Sequence, residues 1–329
     1  MTTRRAFIRA ISGIPLTVPL TVYGQEDTRV RTIGFLGVSR NIDASFGLTA
    51  QLIAALRELG WSEGRNVAFL FRWTEQHNDL LPALARELVA ANVDVIVVGS
   101  GATGTRAAMQ ASDRIPIVMT SVADPVKFGL IASFAHPGGN VTGLAQPLVD
   151  WGKWLELARE GVSGATRIAI IGNSTNIVYS DYVRENEAAA KRLGLELQML
   201  PVARFEDFGP AFAAMKRAGA SALVFGPDAL FLANLDYLVR TATENRLPVI
   251  APARRAAELG AVISYGADFT TAYRRAAVYV DKILRGARPA DLPVEQPARF
   301  ELVINLGAAR ALGLTMPQGL LVRADEVIQ

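Results

Sequence analysis

The feature that most constrains the fold is an alternation of short apolar runs with longer amphipathic segments. The run Val93–Val98 is rich in β-branched residues, and Ile117–Thr120 is a similar run. Runs that are apolar on both faces are typical of parallel strands buried between layers of helices. Between them lie segments with helical spacing, such as Leu48, Leu52 and Leu56. The pattern therefore predicts an α/β fold with parallel sheets flanked by helices.

In the first half of the chain this alternation predicts a complete parallel sheet. The predicted strands are Thr32–Val38, Asn66–Trp73, Val93–Val98, Ile117–Thr120 and Val141–Leu144. The predicted helices are Phe46–Leu59, Leu80–Ala91, Thr105–Ala111 and one that follows Pro125 and ends near Ala135.

After Pro147 the same rhythm starts again, which predicts a second lobe. The predicted helices are Trp151–Glu160, Tyr179–Leu193, Phe208–Ala218, Ala229–Asn245 and Phe269–Arg285. The predicted strands are Arg167–Gly172, Leu195–Val202, Ala222–Phe225, Pro248–Ala251, Ala261–Tyr265 and Phe300–Ile304. We expect two Rossmann-like lobes joined by three crossings, near residues 146–150, 266–269 and 290–295. The N-terminal lobe is then 30–148 with about 268–292, and the C-terminal lobe is 149–267 with about 293–329.

The first 24 residues are predicted to be an export signal. They combine Arg4, Arg5 and Arg9 with an apolar run broken by two prolines, and they end in small residues near Gly24. The segment Thr3–Arg9 resembles the twin-arginine signal. No other stretch reaches the roughly 18 to 20 consecutive apolar residues that a membrane-spanning helix needs. The sequence therefore predicts a soluble, exported, periplasmic protein.

Composition excludes several classes of function. Outside the leader there are 31 basic and 31 acidic residues, so the formal charge of +3 comes from the leader and gives no support for a nucleic-acid partner. The absence of cysteine excludes disulfides and thiolate metal sites. The two histidines, His77 and His136, lack an identifiable catalytic partner. We expect no enzyme chemistry, no metal and no cofactor.

A glycine-rich segment, Gly99–Gly104, fits the G-x-G-x-x-G pattern of dinucleotide sites, and Asp124 follows about 20 residues later. It comes after the third strand of its lobe, however, whereas that pattern normally follows the first strand. The alternative is that the glycines let the chain turn tightly and direct helix N-terminal N–H groups at an anion such as a carboxylate. An NAD-dependent oxidoreductase stays open as the rival function.

Other candidate residues follow strands, where the carboxyl edge of a parallel sheet binds ligands. The corner from Ser121 to Pro125 is the leading candidate. Phe46 could face a ligand or begin a helix core. Asp228 and Asp268 could accept an ammonium group, although for either one alone a helix N-cap is the favoured interpretation. The full set of predicted ligand-binding residues is Ser39, Phe46, Ser100, Gly101, Ala102, Thr103, Ser121, Val122, Asp124, Pro125, Asn173, Ser174, Tyr179, Asp228, Tyr265 and Asp268.

Several motifs together resemble the ABC transporter substrate-binding family that includes the tryptophan-binding TrpX-like receptors. They are Ile115–Val118 with Asp124–Val126, the turn His136–Gly143, Ser264–Gly266, the helix segments Tyr273–Ala277 and Asp281–Leu284, and Phe300–Asn305. The resemblance runs in order over nearly the whole chain after the leader. It implies a type I periplasmic binding protein with two lobes, a three-strand hinge and no catalytic activity.

The resemblance also implies roles for particular residues. Residues Ser100–Thr103 and Ser121–Asp124 would hold a ligand carboxylate, and Asp268 or Asp228 an amine. Phe46, Tyr179 and Tyr265 would lie around the ligand side chain. We therefore expect a monomeric receptor that delivers an aromatic or branched amino acid, or an aromatic acid, to the permease of an ABC importer. A receptor that feeds a signalling partner is the second alternative.

Overall fold

The computed structural model describes residues 29–40, 47–146, 151–296 and 300–329. Within them the strands are β1 (Arg31–Gly37), β2 (Val67–Trp73), β3 (Val95–Val98), β4 (Ile117–Val122), β5 (Val141–Ala145), β6 (Arg167–Asn173), β7 (Glu196–Val202), β8 (Ala222–Val224), β9 (Val249–Ala251), β10 (Ile263–Gly266), β11 (Glu301–Asn305) and β12 (Glu326–Ile328). The α-helices are α1 (Leu48–Glu58), α2 (Leu81–Ala90), α3 (Gly101–Ala111), α4 (Lys153–Gly161), α5 (Tyr179–Leu193), α6 (Phe208–Ala218), α7 (Ala229–Ala233), α8 (Leu235–Glu244), α9 (Arg254–Glu258), α10 (Phe269–Leu284), α11 (Leu306–Ala311) and α12 (Gln318–Arg323).

These strands form two sheets, one in each lobe, as the alternation predicts. The N-lobe sheet has the order β2-β1-β3-β4-β5, and all its pairs are parallel. The C-lobe sheet has the order β12-β11-β10-β9-β8-β6-β7, in which only the pair β10–β11 is antiparallel. The two-lobed α/β fold class is therefore confirmed.

Helices cover both faces of each sheet. Because the side chains on both faces of a strand are then buried, many of the strands are unbroken apolar runs in the sequence. In the N lobe, α1 and α10 pack against one face, in the same core cluster as Ile33 and Phe35. Helices α2 and α3 pack against the other face, with Leu36 and Ile96. In the C lobe, α4 and α5 share one core with Ile168 and Ile170, whereas α6 and α8 lie on the opposite face.

The chain passes between the lobes after β5, after β10 and after the segment that ends at Glu295. Helix α10 follows β10 of the C lobe directly but packs in the N-lobe core. The third passage differs from the expectation of residues 290–295. There the backbone of Glu295 still pairs with β5, because its carbonyl accepts the N–H of Ala145 and its N–H bonds to the carbonyl of Gly143. The chain therefore leaves the N lobe after Glu295.

Three predicted helices differ from the structure. The helix expected after Pro125 is a series of turns, with Gly129 at a positive φ of 62°. Helix α3 begins at Gly101 rather than at Thr105. The helix expected over 229–245 is divided at Asn234, whose side chain bonds to the carbonyl of Leu230. Helices α9, α11 and α12 and strand β12 were not predicted.

Candidate functional site

A cleft lies between the lobes at the carboxyl ends of the strands, and two compartments share its walls. The glycine-side compartment, about 750 Å³ counted to its open mouth, is lined by the N-terminus of α3 and by Asn78, Asn173, Asn176 and Asp228. The hinge-side compartment, about 840 Å³ counted in the same way, lies next to the interlobe passages at Gln146, Gly266 and Phe300. Ser121, Trp151 and Phe269 line both. Residues of both lobes line each compartment, so the cleft is an interface at which one ligand can contact both lobes.

The N-lobe wall is built by the glycine-rich segment, and each of its glycines has a local reason. A side chain at Gly99 would collide with Phe35 and the hydroxyl of Tyr273, and one at Gly104 would collide with Ser100. Gly101 has a positive φ of 65°, a conformation that glycine adopts without strain. The pattern is thus explained by tight packing and a turn at the start of a helix, which is the alternative to a dinucleotide site.

The N-terminus of α3 presents backbone donors to the glycine-side compartment. The first N–H groups of a helix have no partner within the helix, and the Ser100 side chain does not cap them. Its hydroxyl donates instead to the carbonyl of Leu36, at 3.1 Å. Because the helix dipole adds a partial positive charge at this end, the wall favours an anionic group.

The C-lobe wall is organised by the half-buried carboxylate of Asp228. It caps α7 by accepting the Leu230 N–H at 2.8 Å. It also accepts the Nδ2 groups of Asn173 and Asn176, at 2.9 and 2.7 Å. Burial raises the pKa of the Asp228 carboxyl, and these three hydrogen bonds oppose the rise. In the part of the chain that the structure describes, no lysine, arginine or histidine forms an ion pair with it.

Hydrogen bonds and apolar contacts join the two walls, so the lobes are closed on each other. The Thr103 hydroxyl donates to Asn176 Oδ1 at 3.4 Å and accepts the Ile177 N–H at 3.2 Å. Asn78 Nδ2 donates to the Thr175 hydroxyl at 2.8 Å. Asn234 Nδ2 donates to Gln76 Oε1 at 2.8 Å, and Lys127 Nζ forms an ion pair with Asp181 Oδ2 at 2.9 Å. Leu232 and Val178 of the C lobe also pack into core clusters of the N lobe.

Aromatic side chains line much of the remaining surface. Trp151 lies edge-on to Tyr182, with ring centroids 5.1 Å apart, and also contacts Trp154. Behind it, a smaller pocket of about 280 Å³ is lined by Tyr179, Tyr182 and Phe231. Phe128, Trp154 and Phe300 line the hinge-side compartment. The cleft thus combines a polar glycine side with an aromatic remainder.

The structure brings about half of the predicted ligand-binding residues to the cleft. Those that line it are Ser100, Gly101, Ala102, Thr103, Ser121, Asp124, Asn173 and Asp228, while Tyr179 lines the smaller pocket behind Trp151. Phe46 lies outside the described residues.

Six predicted residues lie elsewhere, and each has a structural reason. Val122 is buried in the N-lobe core, and the carbonyl of buried Pro125 accepts the N–H groups of Leu130 and Ile131 in a turn. The other four side chains line neither compartment. Ser39 is buried beside Glu75, and the Ser174 hydroxyl bonds to the carbonyl of Val202. Tyr265 stacks on Phe300, with ring centroids 5.0 Å apart, and exposed Asp268 caps α10 beside a separate surface groove.

Several cleft residues were missed from the sequence. Trp151 and Phe269 each lie where the chain enters a lobe after an interlobe passage, and a large aromatic residue at such a position is a usable signal. Asn78 follows the carboxyl end of β2, the same edge rule that selected the other loops. Asn176 is adjacent to the predicted pair Asn173 and Ser174 but was not selected.

Comparisons with known proteins agree with this arrangement. Residues 42–328 match the family model described as ABC transporter substrate binding protein. The chain is 28% identical over 264 residues to a tyrosine-binding protein of Clostridioides difficile strain R20291, covering 80% of this chain and 75% of that protein. A conserved domain protein of Vibrio cholerae has a similar structure, with a TM-score of 0.80 and 27% identity over 91% of this chain and 99% of the other.

A second solved structure is an ABC domain from Streptococcus pneumonia in complex with L-Trp. It has a TM-score of 0.79 and 22% identity, and the match covers 91% of this chain and 100% of that chain. Within the residues described here, no helix is long and apolar enough to cross a membrane. The oxidoreductase alternative is excluded, because the family and the type I periplasmic binding protein fold are those of solute-binding proteins, which are not enzymes. On the match over 42–328 and the cleft between two α/β lobes, this chain belongs to the ABC transporter substrate-binding protein family.

Proposed function

We propose that this protein is the receptor of an ABC importer and binds a small carboxylate-bearing ligand in the interlobe cleft. The ligand is an amino acid with an aromatic or branched side chain, or an aromatic acid. Its carboxylate bonds to the N-terminus of α3 and to Ser121, and an amine, when the ligand has one, bonds to Asp228. The relatives that bind tyrosine and L-Trp support this ligand class.

One observation carries the proposal. The Thr103 hydroxyl donates to Asn176 Oδ1, and Asn176 Nδ2 donates to Asp228 Oδ2 at 2.7 Å. Through these hydrogen bonds the N-terminus of α3 and the half-buried Asp228 carboxylate are neighbours in one compartment. An α-amino acid carries its carboxylate and ammonium on one carbon atom, so two neighbouring features of opposite preference match its two charges in sign.

The aromatic lining supports a large or branched apolar side chain. Trp151 touches every compartment of the cleft, and Phe269 lines the two larger ones. Rings of this kind bind a flat or branched apolar group through burial and stacking. The polar groups would fix the orientation of the ligand, and the aromatic side chains would contribute most of the buried apolar area.

Hinge closure would link binding to delivery. The bonds from Asn78, Thr103, Gln76 and Lys127 to the opposite lobe form only when the lobes are together. A ligand that contacts both walls stabilises this closed form, and the permease would recognise it. We further propose that the leader, which lies outside the described residues, exports the protein to the periplasm by the twin-arginine route and that the receptor works as a monomer.

A ligand screen tests the proposal. Thermal unfolding and calorimetry would be measured with L-tyrosine, L-tryptophan, L-phenylalanine, L-leucine, 4-hydroxybenzoate and phenylacetate. At least one carboxylate should raise the unfolding temperature and bind with measurable heat. The matched controls are the primary amides of the same compounds, which lack the negative charge. No stabilisation by any carboxylate, or equal binding of acids and amides, would contradict the proposed carboxylate site.

A further inference from the structure

Asn78, a cleft residue that was not predicted from the sequence, has a buried hydrogen-bond acceptor without a partner among the described residues. Asn78 lies in the 3-10 turn Asn78–Leu80, which follows the loop at the carboxyl end of β2, and lines the glycine-side compartment. Its Nδ2 donates to the Thr175 hydroxyl of the other lobe at 2.8 Å. Its Oδ1 is buried, and within the described part of the chain it has no hydrogen-bond partner. Buried amide oxygens in native proteins are normally paired, so this atom requires an explanation.

The orientation of the Asn78 amide follows from the groups beyond it. Asp228 is acceptor-only when ionised, so Asn173 must direct Nδ2 toward it, at 2.9 Å. Asn173 Oδ1 then accepts both the N–H and the hydroxyl proton of Thr175, at 3.0 and 2.7 Å. Because the Thr175 proton is committed, its oxygen must accept from Asn78, and this places Nδ2 on Thr175 and leaves Oδ1 unpaired.

Two chains of hydrogen bonds thus run from the N lobe to the same carboxylate. One passes from Asn78 through Thr175 and Asn173, and the other from Thr103 through Asn176. Every donor in both chains points toward Asp228, so its negative charge fixes the polarity of the whole network. The network ends in two acceptors on residues that line the compartment: the unpaired Oδ1 of Asn78 and the Asp228 carboxylate.

We propose that Asn78 is a specificity-determining residue whose Oδ1 accepts a hydrogen bond from the ammonium group of an α-amino acid ligand. This inference rests on the proposed function and narrows its ligand to one that carries a cation beside its carboxylate. An ammonium group supplies both the missing donor for Asn78 and a counter-charge for half-buried Asp228, which lacks one among the described residues. A carboxylic acid without an amine supplies neither.

The contact also ties ligand choice to closure. Asn78 belongs to the N lobe, but its amide is held by Thr175 of the C lobe only when the cleft is closed. In the open form the same amide can bond to water. The ammonium group is therefore selected in the closed state, where an unpaired Oδ1 is costly because water has been displaced.

The test is a double comparison of side chain and ligand. Affinities for four L-amino acids (tyrosine, tryptophan, phenylalanine and leucine) and for their deaminated acids would be measured by calorimetry on the full chain and on Asn78→Ala. The variant should lose about tenfold or more in affinity for the amino acid that the full chain binds, and less than about threefold for its deaminated acid, as expected for a bond to a charged group. Asn78→Asp keeps an acceptor and adds charge but loses the donor to Thr175, so it should prefer the amino acid over its deaminated acid more strongly than Asn78→Ala does. Asn245→Ala, an exposed asparagine that bonds only to the carbonyl of Thr241, is the control and should change neither affinity.

The outcomes separate this inference from the proposed function. Equal losses for the amino acid and its deaminated acid would overturn the inference, because Asn78 would then act through closure alone. Binding of deaminated acids without binding of any amino acid would overturn the inference and leave a carboxylate receptor standing. Binding of neither class would overturn both.

Discussion

Asp228 and Asp268 begin as the same local motif and end in different roles. Each precedes a helix, and each Oδ1 accepts the N–H two residues later at 2.8 Å. Asp228 is also enclosed by Asn173 and Asn176 and lines the cleft, whereas Asp268 is exposed, bonds to the Thr271 hydroxyl and lies beside a surface groove. The cap is a property of the local sequence, but the electrostatic role depends on which loops of the fold surround the carboxylate.

The largest expected effect follows from removing the half-buried carboxylate. Asp228→Ala should weaken binding of an amino acid ligand by about 2 kcal/mol or more, on the order of 30-fold, because it removes the charge partner of the ammonium and leaves two asparagine donors unpaired. Calorimetry with the amino acid that binds best checks this value. Asp228→Asn, which keeps the shape, should lose a similar factor. An unchanged affinity in both variants would place the amine elsewhere.

Acidification should act on Asp228 without any mutation. Burial raises the pKa of its carboxyl in the closed protein. Asp228 in the closed form therefore binds a proton more readily than an exposed aspartate does. Proton binding stabilises the closed form fully below the ordinary pKa of an aspartate, and this stabilisation is lost as the pH rises through the raised pKa of Asp228. Closure without ligand should become easier at acidic pH. Affinity for an amino acid should fall over the same range, because a neutral carboxyl no longer attracts the ammonium.

The pH dependence is measured by calorimetry from neutral to acidic conditions. Asp228→Asn should flatten the profile, while Asp268→Asn should preserve it, since Asp268 does not face the ligand. A profile that is unaffected by Asp228→Asn would assign the titration to another group.

A smaller effect is expected from the bond that connects Asp228 to the other lobe. Thr103→Val keeps the side-chain volume but removes the hydroxyl that bonds to Asn176 and Ile177. The closed form should lose about 1 kcal/mol, a fall of roughly fivefold in affinity. The matched control is Thr105→Val in the same helix, whose hydroxyl bonds only to the carbonyl of Gly101. Equal losses in the two variants would point to damage to α3 rather than to a weaker interlobe contact.

The smallest effect on binding is expected at the second aspartate. Asp268→Ala should reduce the free energy of unfolding by about 1 kcal/mol, the usual value of a helix N-cap. It should change ligand affinity less than about twofold, because the side chain lies outside both compartments. Thermal unfolding and calorimetry on the same samples separate the two quantities. A loss of affinity as large as that of Asp228→Ala would break the comparison.

The fold was largely predictable because it follows from local periodicity. Apolar runs predicted every strand of the two sheets except β12, and the glycine after Leu193 predicted the end of α5, where Gly194 has a positive φ of 66°. Predictions failed where tertiary contacts override local preference. The helix expected after Pro125 is replaced by turns, in which the Pro125 carbonyl accepts the N–H groups of Leu130 and Ile131. The helix expected over 229–245 is broken at Asn234, whose side chain donates to Gln76 of the other lobe.

The cleft was only partly predictable for a related reason. The rule that ligands bind at the carboxyl edge selected Ser121 and the N-terminus of α3, which do line the cleft. The rule cannot distinguish side chains that face the cleft from those that alternate into the core, such as Val122. The rule also says nothing about how the two lobes are placed relative to each other. The contact between Asn78 and Thr175, which are 97 residues apart, could therefore not be predicted from the sequence.

The most direct test of this account is a crystal structure of the protein with its best-binding amino acid. We expect the ligand carboxylate within hydrogen-bond distance of the first N–H groups of α3, and the ammonium against Asp228 and Asn78. Asp268 should remain outside the site. A ligand that lies in the hinge-side compartment and contacts neither α3 nor Asp228 would contradict the account.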